Sequence, residues 1–178
     1  MFELEAMTDE KKTKEVGFKK EPIAIPDIDY QTAMLKIESA MRESPGFVDG
    51  DFFPLKHTFA HGMYIREIFV PAGSFVLTYV HKQSHPCFVL QGDTTVIEPE
   101  GNRKVSAPHH FITPAGMQRL CFCHTDTIWA TVHLNLTNER DMEKIEKDLY
   151  ACHYSELYID ADKNIDTKEI TDDKALAL

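Results

Sequence analysis

"SFVLTYVHKQSHPCFVLQG", residues 74–92, sets two apolar, strand-like runs on either side of a polar break and stops at a glycine. Alternate side chains of an extended chain share a face, so Phe75, Leu77, Tyr79 and His81 line up in the first run. His85 opens the second run, with Cys87 and Val89 on its side. A tight turn over residues 82–84 brings both imidazoles to one end of a barrel interior. Two neutral imidazoles converging in a dry pocket make half a site for a first-row divalent metal. The plainer alternative is a pair that hydrogen-bonds loop carbonyls in a lined cavity.

The same texture runs from residue 57 to residue 136. "MYIREIFV", "CFVLQGDTTVIEP", "HHFITP", "RLCFCH" and "TIWATVHLNL" read as short strands separated by the turn formers "PAG", "EGN" and "HTD". Many short strands at even spacing imply a sandwich or a small barrel. Ahead of it, residues 26–56 supply a helix, "DIDYQTAMLKIESAMRES", with an aspartate to cap it and "SPG" to stop it. Its apolar stripe is Tyr30, Ala33, Met34, Ile37 and Met41. Behind it, residues 137–154 form a second helix, with Met142, Ile145 and Leu149 on one side of "TNERDMEKIEKDLY". Residues 1–25 are a charged arm whose "IAI" could pair as an edge strand, and residues 155–178 are an acidic tail. The 178 residues thus make one domain with appendages.

A net charge of −10 repels polyanions, which argues against nucleic acid and against an anionic membrane surface as partners. No stretch approaches the apolar length that a bilayer demands, and "MFELEAMTDEKKTK" lacks an apolar leader core, so a cytoplasmic protein is expected. Cys87, Cys121, Cys123 and Cys152 follow neither zinc-finger nor disulfide-framework spacing and are expected to be reduced. Small molecules and protein partners remain.

Gly73, His81, His85 and Gly92, followed by "PAG" at 114–116, resemble the two-motif signature of the cupin superfamily. The resemblance implies a mainly β fold: a small cupin barrel, that is, a double-stranded β-helix or jelly roll, with flanking N- and C-terminal helices. It sets His81 on the family's second histidine position and His85 on its glutamate position. Tyr79 stands where the first histidine would be, and Arg119 stands where the second motif has a histidine. More narrowly, "HGMYIREIFVPAG", "APHHFITPAG" and "HTDTIWATVHLN" are similar to uncharacterised cupin-like proteins encoded by bacteriophages. That similarity implies a host cytoplasm or a virion as the setting.

A metal on His81 and His85 needs a third ligand, because two imidazoles seldom hold a divalent ion against competition. In "TIWATVHLN", Trp129, Thr131 and His133 share one face, while Ile128, Ala130, Val132 and Leu134 share the other. Taking the aliphatic face as the core side leaves His133 on a site-like surface as first choice. His124, at the turn "CHTDT", ranks second and could hold Asp126 instead. Cys121 and Cys123 alternate with Arg119, so a thiolate ligand is a further option and a small buried thiol the plainer one.

Arg119 can clamp a substrate carboxylate or phosphate, or can pair internally with Glu67. Tyr79 and Trp129 can stack on a flat substrate or fill the core. His109 and His110 are adjacent and must point to opposite faces; His57 and His61 sit in a strand-like pattern and are given no role. The expected site is therefore a divalent metal (Fe, Mn, Zn or Ni) on His81, His85 and His133, with His124 in reserve. Arg119, Tyr79 and Trp129 face a small anionic metabolite. Two other readings stand beside it: a non-catalytic barrel that forms a homo-oligomer or carries a ligand, and a metal-free pocket for a phosphate or carboxylate.

Overall fold

In the computed structural model, which describes residues 23–49 and 52–157, the alternating runs become antiparallel strands. They are β1 (Leu55–Ala60), β2 (Gly62–Val70), β3 (Phe75–Leu77), β4 (Val80–His81), β5 (His85–Gln91), β6 (Asp93–Glu98), β7 (Gly101–Ser106), β8 (His109–Thr113), β9 (Leu120–Cys123) and β10 (Thr127–Asn135). Helix α1 (Ile28–Arg42) precedes them, and α2 (Met142–Leu149) with β11 (Tyr150–Ala151) follows.

A five-stranded sheet, β1-β2-β10-β5-β8, faces a four-stranded sheet, β3-β9-β6-β7. The pairs β2/β10, β3/β9, β5/β8 and β6/β7 are nested one inside the next. Such nesting is a long antiparallel ribbon, tipped by the β6–β7 hairpin, wound so that successive pairs alternate between two sheets. The chain is a cupin-like β-sandwich with helices at its flanks.

The hydrophobic core fills one half of the sandwich. Val89, Val96, Val105 and Cys121 are buried there, with Val76, Phe111 and Trp129 packed against them. Crossing from β5 to β6 requires Gly92, whose φ is +91°; a Cβ there would lie 2.5 Å from the Asp126 carbonyl oxygen and 2.6 Å from Thr127 Oγ1. Only glycine fits that corner without strain.

Asp27 caps α1, its carboxylate accepting from the Tyr30 backbone N–H at 2.8 Å. Met34 on the expected stripe is buried, whereas Ala33 is exposed and Gln31 is buried in its place. Gln31 tolerates burial because its amide donates to the Pro26 carbonyl at 2.7 Å. The Tyr30 hydroxyl, donating to the Gln118 carbonyl at 2.8 Å, ties the helix to the barrel.

The second helix is shorter than the span 137–154 expected for it. It ends at Leu149 because Tyr150 and Ala151 turn into an extended pair with β4. Ile145 and Leu149 bury their side chains with Tyr64. Ala24 of the "IAI" segment donates one hydrogen bond to Ala115 at 3.1 Å, but no strand forms there among the described residues. The rest of the arm and the tail from residue 158 onward lie outside the described residues.

Candidate functional site

The other half of the sandwich is polar. β4 is two residues long and is held on both edges. His81 N–H donates to Met117 at 2.9 Å, and Gly116 N–H donates to His81 at 2.7 Å. Tyr150 pairs with His81 from the opposite side. His85 opens β5 opposite Thr113, and His133 lies on β10 opposite Tyr64. These three strands bring three imidazoles into a row: His81 to His85 and His85 to His133 are each 4.4 Å between ring centres. Tyr64 stacks on His133 at 6.0 Å, and Tyr150 sets its edge against His81 at 5.2 Å.

Burial governs the protonation of this row. His81 is held well below its ordinary value, first by desolvation and then by His85, His133, Arg119 and Arg66. Desolvation also lowers His85 to about 4, the Arg119 charge adding to it against the hydrogen bond with Gln83. His133 falls to about 3 through desolvation, His85 and Arg66. At neutral pH all three rings are uncharged, the state in which imidazole binds a metal. His85 Nδ1 lies 3.2 Å from the Gln83 carbonyl oxygen, which can only accept. Nδ1 therefore carries the proton and Nε2 presents a lone pair. His133 Nε2 is 2.9 Å from Thr131 Oγ1. His81 Nδ1 is buried with no hydrogen-bond partner among the described residues, a costly state for a ring nitrogen.

The donors suit a first-row divalent ion in kind and number. Their placement is tighter than an ion would set it: among the described residues, no three His, Cys, Asp or Glu side chains are arranged to hold a metal. Rings bound to one tetrahedral ion at about 2.1 Å have centres about 5 Å apart, so rings 4.4 Å apart are in packing contact.

Arg119 is buried beside this row, but its partner is Glu98 and not Glu67. Its Nε meets Glu98 Oε1 at 2.7 Å and its Nη1 donates to Thr113 Oγ1 at 2.8 Å. Glu67 points out of the opposite sheet face and pairs with Lys56 at 2.7 Å. Glu98 also receives Arg103, and the two arginines hold its carboxyl below the usual range despite its partial burial.

Several expected site residues lie elsewhere. The alternation drawn through residues 75–81 breaks at Thr78, whose hydroxyl accepts from Arg119 N–H and whose own N–H donates to the Arg119 carbonyl. Val76 enters the core instead of Phe75, and Tyr79 is 48% exposed, its ring 5.8 Å from that of Tyr150. Trp129 fills the apolar core, edge-on to Phe111. β10 faces the way opposite to the one expected: Trp129 and His133 point inward, and the aliphatic face with Leu134, 58% exposed, is the outer surface. Buried polar rings compensated by neighbouring groups outweighed the general preference for aliphatic residues inside.

His124 is exposed, bonded to Thr95 Oγ1 at 2.8 Å, and lines a surface depression of about 240 Å³ with Asp93 and Lys104. Asp126 accepts instead from the Ala72 N–H. Burial pushes the Cys121 and Cys87 thiols up to about 12, so neither offers a thiolate. The four cysteines are free.

Sequence reasoning missed Tyr64, Arg66, Glu98 and Tyr150. Tyr64 is fully buried, and its hydroxyl bonds to His57 Nδ1 at 2.8 Å, linking the unassigned His57 to the ring against His133. The alternation of β2 was the available signal, because it places Tyr64 and Arg66 on one face.

No protein-family model and no curated protein matches the sequence. Among solved structures, a cupin-2 domain protein from Shewanella frigidimarina is 7% identical over 61% of this chain and 100% of its own, with a TM-score of 0.40. A cupin domain from Bordetella pertussis is 12% identical over 49% of this chain and 98% of its own, with a TM-score of 0.39. Ectoine synthase from P. lautus is 8% identical over 53% of this chain and 72% of its own, with a TM-score of 0.42. The nested strand register of the chain itself is what gives it a cupin-like jelly-roll fold.

Proposed function

We propose that this cupin-fold protein holds a divalent metal on His81, His85 and His133 and acts there on a small anionic metabolite. The observation that carries the reading is the meeting of three neutral imidazoles from three separate strands, one of them with a buried nitrogen that no hydrogen bond satisfies. When bound, such an ion supplies a Lewis acid and an acidified water.

The chain's own residues then do the rest. Burial keeps the rings unprotonated. Arg66 and Arg119 supply positive potential close enough to depress the neighbouring imidazoles, which favours an anion beside them. Glu98 and Thr113 fix the Arg119 guanidinium in place. Tyr64 and Tyr150 wall off bulk water around His133 and His81. The similarity of three sequence segments to phage-encoded cupin-like proteins supports a host cytoplasm or a virion as the setting for this reading.

Metal analysis of protein purified without an affinity tag tests it. Stoichiometric metal that disappears in His81→Ala is the expected result. Metal-free protein that takes up no Fe²⁺, Mn²⁺, Zn²⁺ or Ni²⁺ in a titration, with a melting curve unchanged by chelator, overturns it. The engagement of His85 with Gln83 and of His133 with Thr131 favours a second reading, a metal-free pocket for a phosphate or carboxylate. Phosphate protection in a thermal melt, retained after chelation, is the outcome that selects it.

A further inference from the structure

The outer face of the five-stranded sheet is largely apolar, interrupted by Lys56 and Thr58 of β1, Glu67 of β2 and the exposed His110 of β8, which lies beside Phe88. Strand alternation and register place Met63, Ile65 and Phe69 of β2 beside Leu134, Val132 and Ile128 of β10. Phe88 of β5 lies beside Ala130, and Ile112 of β8 beside Pro86. Met63, Leu90, Leu134 and Ile112 are 40% to 59% exposed, so nothing among the described residues covers them. The ionised groups on this face are Lys56 and Glu67, which neutralise each other at 2.7 Å. An isolated outer strand face ordinarily carries polar residues, and a contiguous patch of this kind marks an interaction surface.

We infer that this face is the interface between two copies of the chain. Charge selects the occupant. Each copy carries −10 overall, so two copies approach with least repulsion through a surface that is itself neutral. A strongly charged partner would find there only the Glu67 carboxylate and the Lys56 ammonium, already paired with each other. Size agrees. Five strands about 4.8 Å apart, five to nine residues long at about 3.3 Å each, present a footprint on the order of 600 Å², at the lower end of the standard range. A standard interface takes about 800 Å² from each partner. Apposed sheets about 10 Å apart would interdigitate Leu134, Ile112 and Leu90 across a two-fold axis, every contact occurring twice.

The test is the mass of the full chain in solution, by light scattering and sedimentation between about 1 and 100 µM. The wild type is expected to be a dimer. Leu134→Asp and Ile112→Asp each bury two carboxylates per dimer and are expected to raise Kd by at least about 100-fold. Phe75→Asp, at an exposed apolar position on the other sheet, is expected to leave it unchanged. All three positions are exposed, so the circular dichroism and thermal melts of the variants report whether each has folded. A monomer at the highest concentration overturns the inference, as it would if the chain's own arm or tail covered the face. A dimer that survives both sheet variants overturns it equally, by placing the contact elsewhere.

Discussion

Burial holds His85 at about 4 and His133 at about 3, against 6.5 for an exposed imidazole. Acid therefore protonates these rings in the unfolded chain first, and stability falls as pH drops from about 6.5 toward 4. Above 6.5 both states are neutral and the contribution is flat. Each ring contributes on the order of 1 kcal/mol per pH unit in that window. Metal-free protein is expected to show a urea midpoint that declines below pH 6.5, and His133→Gln a shallower decline. Arg119→Ala leaves Glu98 and Thr113 without their buried partner and is expected to cost about 3 kcal/mol by urea denaturation. Lys56→Ala, which removes an exposed pair, is expected to cost less than about 1 kcal/mol. The two cases show what one sequence can and cannot disclose. His81, His85 and His133 were nominated from local alternation and motif spacing. Glu98 was not, because its meeting with Arg119 depends on how β6 registers against β9, which no local pattern encodes.

At the level of elements, the strands and α1 were legible because each has its own periodicity and punctuation: alternation, "PAG" turns, an aspartate cap. Orientation was less legible. The residues of β10 alone point its aliphatic face inward, and it is the neighbouring strands, with Tyr64 on one side and Cys87 on the other, that turn His133 in instead. The break at Thr78 was invisible for the same reason, since it is imposed by hydrogen bonds to Arg119. Gly92 is the element-scale position whose substitution tests the winding. Gly92→Ala must place a Cβ 2.5 Å from the Asp126 carbonyl at positive φ, so a loss of more than about 2 kcal/mol is expected in urea unfolding. Asp27→Ala, which removes only the cap of α1, is expected to cost about 1 kcal/mol.

For the whole molecule, an apolar seam between two acidic bodies has a distinctive salt response. Screening weakens the repulsion and leaves the apolar contact intact, so the proposed dimer is expected to tighten as ionic strength rises from about 0.05 to 0.5 M. Sedimentation equilibrium at both salts reads the sign, and an interface built on opposite charges would loosen instead. The β4–β11 pairing has a separate consequence for how the molecule tolerates shortening. Lys82 N–H donates to Leu149 at 2.8 Å, and Tyr150 lies opposite His81. A polypeptide cut just after Asn135 would keep both sheets yet lose this latch, freeing one edge of the two-residue segment that carries His81. His85, set at the start of a long paired strand, would stay where it is, while His133 would lose its contact with Tyr150 and the α2 side chains packed on its neighbour Tyr64. The helical end of the chain thus secures one ring of the interior row from about seventy residues away, and trimming it would unseat that ring first.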